Sequence, residues 1–210
     1  MIKSKLIPGL TSTATASSNP VTETSAGDQR ITGLPVEADL SAHTLILGSM
    51  PGKASLNACQ YYAHPRNLFW PLICQSLGIS PEMSYAEKMQ TLKSQGYALW
   101  DVIAACERNG SLDISIRLQT LELNSLVPFL ERHCRIERIF FNGKMACSLF
   151  MKHIVPKINA ASAITCQKDA DAYQYVCLPS SSPANAAISR LLKEQAWQML
   201  NTNSRSVLKV

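Results

Sequence analysis

Apolar residues along the chain form short continuous runs rather than an alternating pattern. Three such runs occupy residues 44–47, 138–141 and 173–178. Each is followed by a loop of small or polar residues and then by a helical stretch. We predict helices over about residues 145–153 after the second run and about residues 184–200 after the third. A fourth strand is predicted within residues 98–103, where a helix is the alternative.

Short apolar strands that alternate with helices predict an α/β fold, in which a parallel sheet carries helices on both faces. The loops after the carboxyl ends of such strands line one crevice, and ligands bind there. We therefore expect the loops that begin at Gly48, Asn142 and Pro179 to converge. This expectation concerns position only, since a fold does not by itself specify a function.

The N-terminal part of the chain has a different composition. Residues 11–25 are mostly Ser, Thr and Ala, and such a segment buries too little surface to offset the entropy of ordering it. We predict a flexible tail over residues 1–36 and a single domain over residues 37–205. Residues 1–22 contain no acidic residue, so an organellar transit peptide is the alternative to a solvated tail.

Net charge and cysteine content exclude few classes of function. The formal net charge of +5 suits a protein that meets a polyanion, but many enzymes share it. None of the seven cysteines forms the closely spaced pair typical of a metal knuckle, and this spacing disfavours a metal or iron–sulfur cofactor. Scattered cysteines are typical of a reducing compartment, so we expect a cytoplasmic protein. No apolar run is long enough for a membrane span, and no membrane partner is expected.

The common phosphate-binding and nucleophile-elbow motifs are absent from the sequence, which disfavours nucleotide-hydrolysing motors, dinucleotide oxidoreductases and α/β-hydrolases. The most informative stretch is GSMPG at residues 48–52 followed by YYAHPRNLFW at residues 61–70. Phe69 and Trp70 are interpreted as core aromatics. His64 is open to either a structural role or a role in shaping a pocket or binding phosphate.

Six segments together resemble the uracil-DNA glycosylase superfamily, and most closely its hypoxanthine-DNA glycosylase branch. Besides the two just quoted, they are ALWDVI (98–103), GSLD (110–113), IFFNG (139–143) and LPSSSPAN (178–185). The resemblance implies a three-layer α/β/α sandwich around a mostly parallel four-stranded sheet. It also implies a monofunctional, monomeric DNA glycosylase that uses no metal and no cofactor. Its partner would be DNA containing deaminated bases.

The resemblance further implies roles for individual residues. The first loop of the mismatch-specific branch contains an Asn that positions the attacking water, and Met50 occupies that position here. In the hypoxanthine branch the catalytic Asn ends the H-P-R-N sequence, which corresponds to Asn67. The expected base pocket comprises Ser49, Met50, Pro51, Gly52, Tyr62, His64 and Asn142, with Tyr62 as the stacking aromatic. The expected DNA-binding residues are Arg66, Lys144, Ser180, Ser181, Ser182 and Asn185. Ala184 stands where the mismatch-specific branch has a bulky wedge, and Arg190 is a further candidate phosphate contact.

A neutral amide suits this chemistry because base excision passes through an oxocarbenium-like sugar and a departing base that carries negative charge. We predict excision of hypoxanthine from deoxyinosine, with uracil as a second candidate substrate. The alternatives are excision of uracil or thymine from G mismatches, and a binding module that does not cleave. A cysteine hydrolase that uses Cys59 or Cys177 with His64 is a weaker alternative. Asp101 and Asp113 are candidate bases, although capping or orienting roles are expected for both.

Overall fold

The structure is a computed structural model that describes residues 30–108, 115–165 and 168–201. Its strands are β1 (Arg30–Thr32), β2 (Thr44–Gly48), β3 (Tyr97–Asp101), β4 (Ile103–Glu107), β5 (Glu122–Leu123), β6 (Arg138–Asn142) and β7 (Gln174–Leu178). Its helices are α1 (Lys53–Ala58), α2 (Phe69–Leu77), α3 (Tyr85–Ser94), α4 (Leu126–Arg132), α5 (Lys144–His153), α6 (Val155–Thr165) and α7 (Arg190–Trp197). Short 3-10 turns occupy Leu118–Thr120, Ala170–Ala172 and Gln198–Leu200.

The main sheet has four parallel strands in the order β3–β2–β6–β7. Successive side chains of each strand point to opposite faces, and both faces are buried. Leu45 and Leu47 belong to the core on one face, together with Phe129 of α4 and Phe150 of α5. Ile46 belongs to the core on the other face, which packs against α2, α3 and α7. The predicted three-layer α/β/α fold is therefore confirmed.

The strand predictions are confirmed, including the fourth strand, which is β3 rather than a helix. At Val102 the chain leaves the main sheet and enters a second, antiparallel sheet in the order β1–β4–β5. No sequence pattern indicated this second sheet. No helix in the described part of the chain has the length and apolar character that crossing a bilayer requires.

The predicted boundary of the tail at residue 36 lies too far along the chain. β1 pairs with β4, with Ile31 opposite Cys106. The hydroxyl of Tyr61 donates to the backbone oxygen of Pro35 at 3.0 Å, and the N–H of Gly33 donates to Ala104 O at 2.8 Å. These pairings with residues distant in sequence hold residues 30–36 against the domain. Residues 1–29 lie outside the described part.

The predicted helix over residues 184–200 is also corrected, because α7 begins only at Arg190. Ser189 caps the helix, and its side chain accepts a hydrogen bond from the N–H of Leu192. Upstream of it, the hydroxyl of Ser182 accepts from the N–H of Ala184. Such local bonds from serine compete with helix formation, so the segment between Pro183 and Ser189 forms turns instead.

Candidate functional site

The carboxyl ends of β2, β6 and β7 bring three loops to one edge of the main sheet. We call them the first loop (residues 48–52), the second loop (residues 142–143) and the serine loop (residues 179–185). The second and serine loops contact each other directly, because Asn142 Nδ2 donates to Ser181 Oγ at 2.8 Å. The serine loop also reaches the start of α2, where Leu68 N–H donates to Ser181 O at 3.0 Å. The predicted convergence is confirmed for these elements.

The first loop has its carbonyl groups tied back into the fold. Gly48 O accepts from Val102 N–H at 2.9 Å and Ser49 O accepts from Ile103 N–H at 3.0 Å. Pro51 O accepts a 2.6 Å hydrogen bond from the guanidinium of Arg108. Within the described residues no backbone acceptor takes the N–H of Met50 or Gly52. Three carbonyl groups of the first loop therefore have donors elsewhere in the fold, whereas these two N–H groups have no backbone acceptor among the described residues.

The residues of the first loop differ in burial. Met50 is 7% exposed and belongs to the core beneath the loop, where its Sδ lies near Gly33. Pro51 is also buried, whereas Ser49 and Gly52 are half-buried. Met50 thus forms a floor of the loop, and its thioether cannot orient a water as an amide would.

Gly48 allows two polar side chains to approach the backbone of the first loop closely. A Cβ added there would overlap Asp101 Oδ1 and would lie 2.8 Å from the hydroxyl of Tyr62. Asp101 is 3% exposed and ends β3, directly opposite Gly48 in the sheet register. The absence of a side chain at Gly48 therefore packs a carboxyl group and a phenol against the first loop.

Tyr62 combines an unusual backbone conformation with a stacked aromatic ring. Its φ of 57° lies in the left-handed region, which is uncommon for an aromatic residue. Its ring stacks on that of Phe69 with centroids 3.8 Å apart and an interplanar angle of 16°. Because Phe69 is fully buried, one face of the Tyr62 ring packs against the core, and the side chain as a whole is half-buried.

Asn67 is half-buried at the beginning of α2. Its Oδ1 accepts a 2.9 Å hydrogen bond from Phe69 N–H, and its own N–H donates to His64 O at 2.8 Å. The bond to Phe69 fixes which way the amide points, because only the oxygen can accept it. The two Nδ2 hydrogens and the second lone pair of Oδ1 are therefore the groups through which this side chain can form further hydrogen bonds.

His64 and Arg66 form the turn that leads to Asn67. His64 Nδ1 accepts from Arg66 N–H at 3.1 Å, so in the neutral ring the proton resides on Nε2. His64 is half-buried, whereas the side chain of Arg66 is exposed. The histidine thus stabilises the turn through one nitrogen and offers a donor through the other.

Asn142 and Ser181 form two hydrogen bonds with each other. Asn142 Nδ2 donates to Ser181 Oγ, and Asn142 Oδ1 accepts from Ser181 N–H, both at 2.8 Å. Ser181 is fully buried and Asn142 is 8% exposed. Asn142 and Ser181 therefore connect the second loop to the serine loop, and their predicted contacts with a base and with phosphate stay predictions. Gly143, with φ of 105°, allows this approach because a Cβ there would crowd Ser180.

We expect the Asn142→Ala substitution to destabilise the fold, because it leaves Ser181 N–H buried without an acceptor. The cost is about 1–3 kcal/mol, which a urea titration would measure. Asn159→Ala is the matched control, since that amide also accepts a backbone N–H, from Ala170, but from an exposed position. Equal losses for the two variants would contradict the bridging role of Asn142.

The rest of the serine loop is more accessible. Ser180 and Ser182 are half-buried, and their hydroxyls accept from the N–H groups of Ser182 and Ala184. Ala184 is exposed. Asn185 Nδ2 donates to Ser180 O, which closes the loop on itself. Each serine hydroxyl keeps its own hydrogen for an outside acceptor.

Beyond the loop turns, charged residues of α5 and α7 lie near the same edge. Lys144 is exposed at the first position of α5. Arg190 donates to Glu194 Oε1 at 2.7 Å on the surface of α7, so its charge is already paired. Asp113, the other carboxyl named from the sequence, lies outside the described residues.

Two buried cationic residues near the site were not predicted from the sequence. Arg108 is 3% exposed behind the first loop. Lys193, also 3% exposed, donates to Asn185 O at 2.8 Å beneath the serine loop, and burial lowers the pKa of its ammonium group. Neither belongs to a motif, and Lys193 shares the buried face of α7 with Trp197, whereas the neighbouring Leu191 and Leu192 are exposed.

The remaining alternatives find little support in the geometry. Cys59 and Cys177 are exposed, and nothing in the described chain pairs either thiol with His64. The described residues also contain no group of three or more His, Cys, Asp and Glu side chains placed to hold a metal ion.

Comparison with known proteins identifies relatives along most of the chain. A family model described as the uracil DNA glycosylase superfamily matches residues 35–201. A hypoxanthine DNA glycosylase of Methanosarcina acetivorans is 33% identical over 167 residues, covering 79% of this chain and 94% of the relative. One of Methanosarcina barkeri is 34% identical over 113 residues, covering 53% and 70%. A solution NMR structure of a candidate uracil DNA glycosylase from Methanosarcina acetivorans matches with a TM-score of 0.66 and 32% identity, covering 82% of this chain and 97% of that one.

Proposed function

The chain belongs to the uracil DNA glycosylase superfamily and is a DNA glycosylase, and we propose that it excises hypoxanthine from deoxyinosine in DNA, with uracil as a second substrate. The observation that carries the proposal is Asn67, whose amide is oriented by Phe69 N–H at the start of α2. The same segment stacks Phe69 on Tyr62 and joins the serine loop through Leu68. The names of the two Methanosarcina relatives support hypoxanthine as the base. Buried Met50 in the first loop argues against the water-positioning arrangement that the mismatch-specific branch uses.

In the proposed reaction the bond between C1′ and the base nitrogen breaks, and both electrons pass to the base. A water oxygen bonds to C1′, and the proton it loses ends on the departed base. The oriented amide of Asn67 holds the water, and the N–H groups of Met50 and Gly52 stabilise the charge on the base. These groups bind and orient, and none forms a covalent intermediate.

The base reaches this site by leaving the stack of the duplex. Flipping costs a few kcal/mol and least for mispaired bases. In this proposal the flipped base stacks on Tyr62, which contributes roughly 1–3 kcal/mol. Since Phe69 already fixes the ring, little side-chain entropy is lost when the base arrives.

The deciding experiment incubates the protein with labelled duplexes that contain hypoxanthine, uracil, xanthine or a G·T mismatch, followed by alkaline cleavage. We expect strand breaks with hypoxanthine. Breaks with uracil alone would favour the alternative of a uracil-directed enzyme, and an absence of breaks with every substrate would refute the proposal.

We expect Arg66→Ala and Lys144→Ala to weaken DNA binding uniformly across sequences. Each change would lower the slope of log affinity against log salt concentration by about 1, since each removes one phosphate contact. Fluorescence anisotropy at several salt concentrations measures this slope. Lys152→Ala is the matched control, because Lys152 is equally exposed but lies in the last turn of α5. A change of slope with the control alone would place the DNA on another face.

A further inference from the structure

Arg108 lies directly after β4, 57 residues from the first loop in sequence, yet its guanidinium donates to Pro51 O at 2.6 Å. We propose that Arg108 is a positioning residue for base release: it fixes the first loop and strengthens Gly52 N–H as a donor to the departing base. The inference rests on the proposed function, because it requires a base that leaves with negative charge.

The first part of the inference concerns the shape of the loop. Backbone N–H groups of Val102 and Ile103 hold its first half through Gly48 O and Ser49 O. Arg108 holds its second half through Pro51 O. Pro51 is buried, so without this donor its carbonyl would lose its partner away from water and the loop would turn to find another. Correct aim of the Gly52 N–H therefore depends on Arg108.

The second part concerns charge. Pro51 C=O and Gly52 N–H belong to the same peptide group, so a cation bound to the oxygen polarises the group and makes its N–H a better donor. The 2.6 Å bond is short, as expected for a charged donor. Arg108 is only 3% exposed, so water screens its charge poorly. A guanidinium also stays protonated at every working pH, so the effect is constant.

The chemistry gives this arrangement a distinctive signature. When the C1′–N bond breaks, the electron pair moves onto the base, and the charge is largest for bases that are poor leaving groups. A donor strengthened by Arg108 thus accelerates release of a poor leaving group more than release of a good one. A purely structural role would affect every base alike.

The test measures single-turnover release of xanthine, hypoxanthine, uracil and 5-fluorouracil, whose N–H acidities differ. We expect Arg108→Met to slow release of the poorest leaving group by about 10²-fold, the size typical of losing one transition-state donor, and to slow release of the best one much less. Arg108→Lys keeps a charge and a donor, and we expect it to recover part of the loss with a shallower dependence on acidity.

Arg138→Met is the matched control, because Arg138 also donates to backbone carbonyls, those of Met199 and Leu200, at the opposite edge of the sheet. We expect it to lower the melting temperature without altering the dependence on acidity. Equal losses for all bases in both Arg108 variants, or no loss, would overturn the inference while the proposed function stands. A wild-type protein that releases none of the bases would overturn the proposed function and the inference together.

Discussion

We expect Asn67→Ala to lower the single-turnover rate of base release by about 10²-fold, because the attacking water loses the amide that orients it. DNA affinity should change little, because phosphate contacts supply most of it. Rate measurements on a hypoxanthine duplex and anisotropy on the same duplex separate the two effects. Full activity in this variant would remove Asn67 from the mechanism, and an inactive wild type that binds DNA would favour a binding module.

The second function of the Asn67 side chain requires a control. Its Oδ1 caps the start of α2 through Phe69 N–H, so the Ala variant also loses about 1 kcal/mol of stability. Asn67→Asp keeps the acceptor but removes both donors, and we expect stability to remain while the rate still falls. Ser84→Ala, which removes the cap of α3, should reproduce the loss of stability without the loss of rate.

The Gly48→Ala substitution should damage both the fold and the activity. Its methyl group would overlap Asp101 Oδ1 and crowd the hydroxyl of Tyr62, and buried Asp101 has little room to yield. We expect a loss of about 1–3 kcal/mol in the free energy of unfolding. Displacement of the first loop and of Tyr62 by about 1 Å would lower the rate of base release by roughly 10²-fold.

Gly78→Ala provides the comparison for Gly48. Gly78 has a φ of 67° and nothing within 4 Å of an added Cβ, so the cost there is backbone strain alone. Urea unfolding and single-turnover kinetics on both variants are the measurements. If Gly48→Ala released base at the wild-type rate, the close packing of Asp101 and Tyr62 against the first loop would have no catalytic role.

The main sheet was predictable because each of its strands is a continuous apolar run in the sequence. Residues 45–47 and 139–141 are fully buried, and continuous apolar sequence is what burial on both faces selects. β1 was missed because Arg30–Thr32 is three residues long with alternating exposure, and its pairing with β4 depends on residues more than 70 positions away. A strand this short can be identified only once the fold shows which strand it pairs with.

The candidate site also has parts that the sequence predicted and parts that it did not. The convergence of the loops was predictable from topology, whereas the roles of Asn67 and Tyr62 rest on a resemblance carried by local motifs and stay predictions. The bridging role of Asn142 did not follow, because its partner Ser181 is 39 residues away and both look like ordinary polar loop residues. Arg108 was missed for the same reason, since an arginine after a strand gives no indication of the carbonyl that it binds.

The hydrogen bonds from Leu68 to Ser181 and from Ser181 to Asn142 have a consequence for how this enzyme can change over evolution. They join the segment that carries Asn67 to the second loop and the serine loop, so a backbone shift in any one of these segments would also displace the other two. Adaptation to another lesion is therefore easiest through side chains that end in the crevice, with the backbone left in place. The loop backbone would then stay unchanged, and substitutions of the side chains that line the crevice would determine which bases are accepted.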